Sequence, residues 1–239
     1  MFIVKTKKEI INGLLISVLG ISLGLGISFM SFSSAFEKKD SKDLVVVIDA
    51  GHGIPDGGAV GINGTVEEKI NLEISQKICE VLEAKGIKVV MTRVTNNCLV
   101  ENTSGKTIRR IKVEDMHKRL DIIKKSNADI FVSIHMNYYT DNSVDGLRLF
   151  YDKKHEETKE LTQYLQSRMA EITNNKIYAV KATDSSLFLM NKSPVPAILI
   201  ECGFLSNATD EKNLNNDEYQ SKIAWAIATG IEKYYTKAQ

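Results

Sequence analysis

Leu44–Gly58 reads LVVVIDAGHGIPDGG. A run of apolar, β-branched residues ends at Asp49, and Ala50 and Gly51 lead to His52 in a loop carrying Gly53, Pro55, Gly57 and Gly58. That order predicts a buried strand delivering His52 to a tight turn. Two later stretches repeat the arrangement: Asp129–Ile134 (DIFVSI) ends at His135, and Ala197–Ile200 (AILI) ends at Glu201. In an open α/β sheet, ligands gather beyond the carboxyl ends of the strands. His52, His135 and Glu201 are therefore expected at one site.

Between these strands the periodicity alternates. From Lys69, residues Ile70, Ile74, Ile78, Val81 and Leu82 share one helical face, and Gly86 closes the helix. Ile87–Thr92 (IKVVMT) reads as a strand, so strand, helix and strand form a βαβ unit with a parallel sheet. Arg93–Lys112 reads as a long solvated loop. Val113–Lys125 is expected to be a helix with Met116, Leu120 and Ile123 inward. Gly146–Tyr151 suggests a short strand, Glu156–Thr173 an amphipathic helix, and Asn174–Ser185 irregular chain. Ser186–Met190 and Ala197–Ile200 are strand candidates around Ser193-Pro194-Val195-Pro196, where proline excludes helix. A helix over Asp217–Tyr235 closes the chain, with Ile223, Ile227 and Ile231 on its inner face. The class expected is α/β: a single domain with a twisted, mostly parallel sheet flanked by helices.

Upstream, Lys5, Lys7 and Lys8 precede Ile10–Phe36, which carries no charged residue. A basic segment before an apolar one predicts an export signal or membrane anchor over residues 1–36. About 20 apolar residues suffice to span a bilayer. Residues 37–43 (EKKDSKD) read as a polar linker, and residues 44–239 as the functional domain. That organisation predicts an exported protein, either anchored or secreted. Net charge is +1 over 239 residues, which gives no electrostatic footprint for nucleic acid. Cys79, Cys98 and Cys202 form no CxxC pair and read as free thiols.

Imidazole is the commonest metal-ligand side chain, and a catalytic zinc takes three N or O ligands with one position left for water. With His52 and His135 as two ligands, the Glu67-Glu68 pair at the start of the first helix is the source of a third. Zinc so held lowers the pKa of its water to about 7. A further carboxylate must then move protons, and Glu201 stands at a suitable strand end. His117 and His155 lie in charged helical surroundings and read as surface residues.

The segments VVVIDAGHGIPDGGAVGINGTVEEKINLEI, ADIFVSIHMN and PAILIECGFLSN resemble the three signature blocks of the zinc-dependent N-acetylmuramoyl-L-alanine amidases, over about Val45 to Tyr235. The resemblance implies one zinc held by His52, Glu68 and His135, with Glu201 as the catalytic glutamate. Periodicity extended backwards favours Glu67 as the inward carboxylate, whereas the family's Glu-Lys pair matches Glu68-Lys69, and the expectation follows the pair. The implied reaction is hydrolysis of the amide between N-acetylmuramic acid and the L-alanine of the peptidoglycan stem peptide. Ile54, where many members have glycine, and Cys202 depart from the family pattern without touching a ligand. An N-terminal membrane segment on one catalytic domain is similar to the germination-specific branch of the family, which acts on spore cortex so that muramic δ-lactam forms. Membrane attachment or a protein partner would then supply localisation. The rival readings are a carboxypeptidase-like zinc hydrolase and a non-catalytic wall-binding scaffold.

Overall fold

The computed structural model describes residues 40, 43–155, 157–174, 178–184 and 186–236. The expected export segment 1–36 lies outside the described residues, as does all of the 37–43 linker except residues 40 and 43. Among the described residues no helix is long and apolar enough to cross a membrane.

Six strands form one sheet: β1 (Val45–Ala50), β2 (Lys88–Met91), β3 (Ile130–Asn137), β4 (Arg148–Tyr151), β5 (Lys181–Ala182) and β6 (Ala197–Phe204), in the order β2-β1-β3-β6-β4-β5. The first four in that order are mutually parallel, while β4 pairs antiparallel with β6 and parallel with β5. The sheet is mostly parallel, as expected, with an inverted edge. β1 and β3 are buried on both faces, which is why they read as unbroken apolar runs.

Among the described residues six helices flank the sheet: α1 (Glu67–Ala84), α2 (Ile108–Lys125), α3 (Glu157–Thr173), α4 (Phe188–Lys192), α5 (Ala208–Leu214) and α6 (Asp217–Tyr235). α1 packs against α6 and against β1 and β3, and α3 packs against α6. Ile70, Ile74, Ile78 and Leu82 are fully or almost fully buried there, together with Ile223, Ile227 and Ile231. Each such side chain contributes about 1.5–3 kcal/mol relative to exposure. A second core unites Val47 and Phe131 of the sheet with Leu120 and Ile123 of α2 and Leu189 and Met190 of α4.

Three expectations are corrected. Ser186–Met190 is not a strand, because Phe188–Lys192 turns into the short helix α4 and inserts Leu189 and Met190 into the second core. Short apolar runs do not distinguish the two states by pattern. The segment after Arg93 is no free solvated loop: α2 starts at Ile108, and the Leu99 N–H donates to Asp115 at 2.7 Å. α1 begins at Glu67 instead of Lys69, with consequences for the site.

Candidate metal centre

β1 and β3 are neighbours in register, so their carboxyl ends open side by side and carry His52 and His135 to one place. The two rings meet edge to face at 5.1 Å between centroids. Gly51 makes this approach possible, since a Cβ there would lie 2.3 Å from the His135 ring. His52 itself sits at φ 61°, a left-handed conformation that non-glycine residues seldom adopt.

Two buried arginines hold that turn. Arg93 donates to the carbonyls of Ala50 (2.9 Å), Gly51 (2.9 Å), Glu68 (2.7 Å) and Thr95 (2.8 Å). Arg119, 0% exposed, donates to the Ala50 carbonyl at 2.7 Å and to the His52 carbonyl. Its charge is matched by Asp49 (2.6 Å) and Asp115 (2.7 Å). Burial pushes the Asp49 carboxyl up, but Arg119, with hydroxyls from Ser133 and Thr92, brings it down to about 2. Sequence reasoning missed both arginines. Asp49 was the available signal, because a carboxylate within a strand buried on both faces needs a cation or several donors.

The third group is Glu67. Its carboxylate is 3% exposed and bridges the histidines, with Oε2 at 3.3 Å from His52 Nε2 and Oε1 at 3.0 Å from His135 Nδ1. The backbone N–H groups of Ala59 (2.8 Å) and Met136 (3.1 Å) donate to it, as does the Asn71 amide at 3.3 Å. His52, Glu67 and His135 each offer an atom, all within 4.8 Å of one another.

Glu68, expected from the Glu-Lys pair, does not join the histidines. Its carboxylate lies 3.8 Å from Arg93. The reason is where α1 starts. The Glu67 and Glu68 N–H groups donate to the carbonyls of Ala59 (2.9 Å) and Gly57 (3.0 Å), so the loop satisfies the orphan donors of the first turn and fixes Glu67 as its first residue. From there the helical periodicity holds, and Glu67 shares the inward face with Ile70, Asn71 and Ile74.

Electrostatics of the cluster favour positive charge between its groups. Burial pulls the His52 imidazole down, but hydrogen bonds with Asp56 and Glu67 win and raise it to about 9. Asp56 Oδ2 is 2.9 Å from His52 Nδ1 and 3.0 Å from Lys112 Nζ, and despite burial these two partners hold its carboxyl well below the usual range. Glu67 is likewise held low by the two imidazoles against the effect of burial. With Nδ1 engaged by Asp56, His52 turns Nε2 towards Glu67. Two imidazole nitrogens and a carboxylate converging in this way fit a borderline first-row divalent ion such as zinc.

Glu201 pairs with His135 across β3 and β6. Its Oε2 is shut from solvent and, among the described residues, has no hydrogen-bond partner. Burial, reinforced by Glu67 and opposed by His135 and His52, pushes its carboxyl up to about 7. A carboxyl poised there can hold or release a proton near neutrality. His117 and His155 stand apart from the cluster: His117 packs on Phe188 and His155 pairs with Asp152.

One distant contact shapes the same wall. Glu211 of α5, 1% exposed, accepts the Asn63 backbone N–H at 3.0 Å, the Asn63 amide at 2.8 Å and the Thr65 N–H at 3.3 Å. It clasps the turn that feeds Glu67 into the site. The helix that supplies this clasp, capped by Asn207, was not foreseen from the sequence.

A family model described as N-acetylmuramoyl-L-alanine amidase matches residues 46–233. The germination-specific N-acetylmuramoyl-L-alanine amidase of Bacillus subtilis is 32% identical over 92% of this chain and 94% of its own. The amidase AmiA of Escherichia coli is 27% identical over 83% of this chain and 78% of its own. Among solved structures, the CwlD amidase of Clostridioides difficile, in complex with the GerS lipoprotein, superposes with a TM-score of 0.77 at 38% identity, covering 80% of this chain and 98% of that one.

Proposed function

The chain belongs to the N-acetylmuramoyl-L-alanine amidase family, and from that premise we propose that it hydrolyses its amide with one zinc held by His52, Glu67 and His135 and with Glu201 as the catalytic acid and base. The observation that carries this reading is the convergence of three candidate ligand atoms within 4.8 Å beside Glu201, whose Oε2 is shut from solvent and has no hydrogen-bond partner among the described residues. Bound there, zinc would polarise the scissile carbonyl and make water acidic enough to attack near neutral pH. The remaining work falls to the chain. Asp56 orients His52 through Nδ1, as outer partners of metal-binding histidines do. Glu201 takes a proton from the attacking water. As the bond between the lactyl carbonyl carbon and nitrogen breaks, Glu201 passes that proton to the departing L-alanine amine. Its burial keeps the proton from leaking to solvent between the two steps.

The substrate is peptidoglycan, in keeping with the family, and the site of action is outside the cytoplasmic membrane. The name of the Bacillus subtilis relative supports a role in germination, and processing of spore cortex is the form that role takes in this reading. The charge-free run Ile10–Phe36 would export the chain and either anchor it or be cleaved. The lipoprotein bound to the Clostridioides difficile relative supports a protein partner in localisation or activation.

Metal analysis and product analysis on one preparation of the full chain, wild type beside His135→Ala, test the reading on purified peptidoglycan. One zinc per wild-type chain is expected, with intact stem peptides released bearing a free L-alanine amine and both properties lost in the variant. Shortened peptides still attached to muramic acid would indicate a carboxypeptidase instead. Wild type with neither metal nor products would leave a wall-binding scaffold.

A further inference from the structure

Arg148 opens β4 and pairs with Glu201 on β6, which in turn pairs with His135 on β3. Directly opposed residues project from the same face of a sheet, so these three form one row across the catalytic end. Arg148 emerges one strand beyond Glu201, at a spacing of about 4.8 Å. Because β4 runs antiparallel to β6, its first residue lies at the end of the sheet where β6 finishes.

The guanidinium is held in an unusual way. Its centre lies 3.4 Å from the Tyr178 ring centroid and 5.1 Å from that of Phe204. Nη1 donates to the carbonyls of Asp145 (3.2 Å) and Leu147 (3.0 Å). Among the described residues, Nε and Nη2 donate to nothing and no carboxylate comes within ion-pair distance. Arg93, Arg110, Arg119 and Arg168 each have such a carboxylate. Nearby acids are otherwise engaged: Asp145 accepts the Tyr178 hydroxyl at 3.1 Å, and Asp210 accepts the Gly146 and Phe204 N–H groups at 2.8 and 2.9 Å. Half-buried, stacked and fixed at one nitrogen, the fork has lost much of its rotamer freedom before any ligand arrives. A planar guanidinium with two free donor nitrogens matches a carboxylate.

We propose that Arg148 is a substrate-binding residue that receives a carboxylate of the stem peptide, one or two residues from the scissile amide, and thereby selects peptides with that carboxyl free. The spacing argues for this reach, since an extended peptide advances about 3.3 Å per residue. The proposal rests on the amidase reading and deepens it by naming what the site recognises beyond the bond it cuts.

Two probes separate the two ideas: an N-acetylmuramyl tripeptide with its carboxyl groups free, and the same tripeptide with them converted to carboxamides. Wild type, Arg148→Gln and Arg148→Lys are compared by KM and kcat, and by calorimetric binding of each probe to the uncut enzyme carrying Glu201→Gln. For the free acid, KM and Kd should rise about tenfold in Arg148→Gln and less in Arg148→Lys, whose charge remains without the fork. The amide should bind wild type and variants alike. A loss equal for acid and amide in both variants, or no loss in either, overturns the proposal. If wild type cuts neither probe, the amidase reading fails alone, because the acid-against-amide difference in binding still decides Arg148. Absence of binding by either probe overturns the proposal as well.

Discussion

The two walls of the candidate metal centre are built on opposite plans. On the β1 side, Arg119 and Arg93 hold four successive backbone and side-chain features around Asp49–His52, and Glu67 receives three N–H donors besides two imidazoles. On the β6 side, Glu201 stands with Oε2 buried and unpartnered. Over-determination suits residues whose task is to keep a fixed geometry, as ligands must. A missing partner suits a residue whose task is to change protonation state, because each bond to one form would penalise the other.

The contrast can be broken from either side, and the largest effect is expected on the sparse wall. Glu201→Gln should lower kcat by about 10²–10⁴-fold while zinc content stays at one per chain, measured on the same preparation. Lost zinc would show that Glu201 belongs to the binding set. On the dense wall, Arg119→Leu should destabilise the fold by about 3–5 kcal/mol in urea denaturation, because it strands Asp49 and Asp115 as buried charges. Asp56→Asn should weaken zinc binding about 10–100-fold in a chelator competition, with little change in unfolding midpoint, since it removes an orienting partner at the half-exposed rim.

Smaller effects sharpen the comparison. After chelation of the metal, Glu201 (raised to about 7) and His52 (raised to about 9) both hold protons more tightly folded than unfolded. Stability present below their unfolded values, 4.5 and 6.5, is therefore lost as pH rises through 7 and 9. Unfolding midpoints should fall from pH 5 to 9, and Glu201→Gln should flatten the part below pH 7. A midpoint that rises over that range would contradict the assignment of Glu201. Glu68→Gln should leave zinc affinity where it is, whereas Glu67→Gln should abolish tight binding. The reverse result would restore the residue favoured by the Glu-Lys pair.

Legibility in the sequence followed the same division. The strands that carry the chain to His52, His135 and Glu201 were readable because a strand buried on both faces leaves an uninterrupted apolar record, although β3 and β6 run on past His135 and Glu201 to Asn137 and Phe204. The helix repeat of Ile70, Ile74 and Ile78 also pointed to Glu67, and the family pairing displaced it by one residue. Glu67 is brought against the histidines by the capture of the first-turn N–H groups by Ala59 and Gly57, a loop contact with no periodic trace. Arg93 and Arg119 were hidden for a different reason. Charged residues in a polar segment or on a lysine-rich helix look alike whether they face water or turn inward, and only the fold shows which carbonyls lie within reach. The inverted edge was harder still, since Arg148 meets Glu201 only once β4 is known to run against β6.

The clasp of Glu211 on Asn63 and Thr65 joins positions 148 and 146 residues apart. A ribosome delivers the chain from its N-terminus, so the AGHG turn emerges long before the helix that steadies the approach to Glu67. His135 and Glu201 also arrive late. A nascent or truncated chain therefore carries the most recognisable motif of a wall-cutting enzyme without its cutting edge. Latency during synthesis is written into the order of the segments, since the candidate site is assembled only once the chain has been made through Glu211.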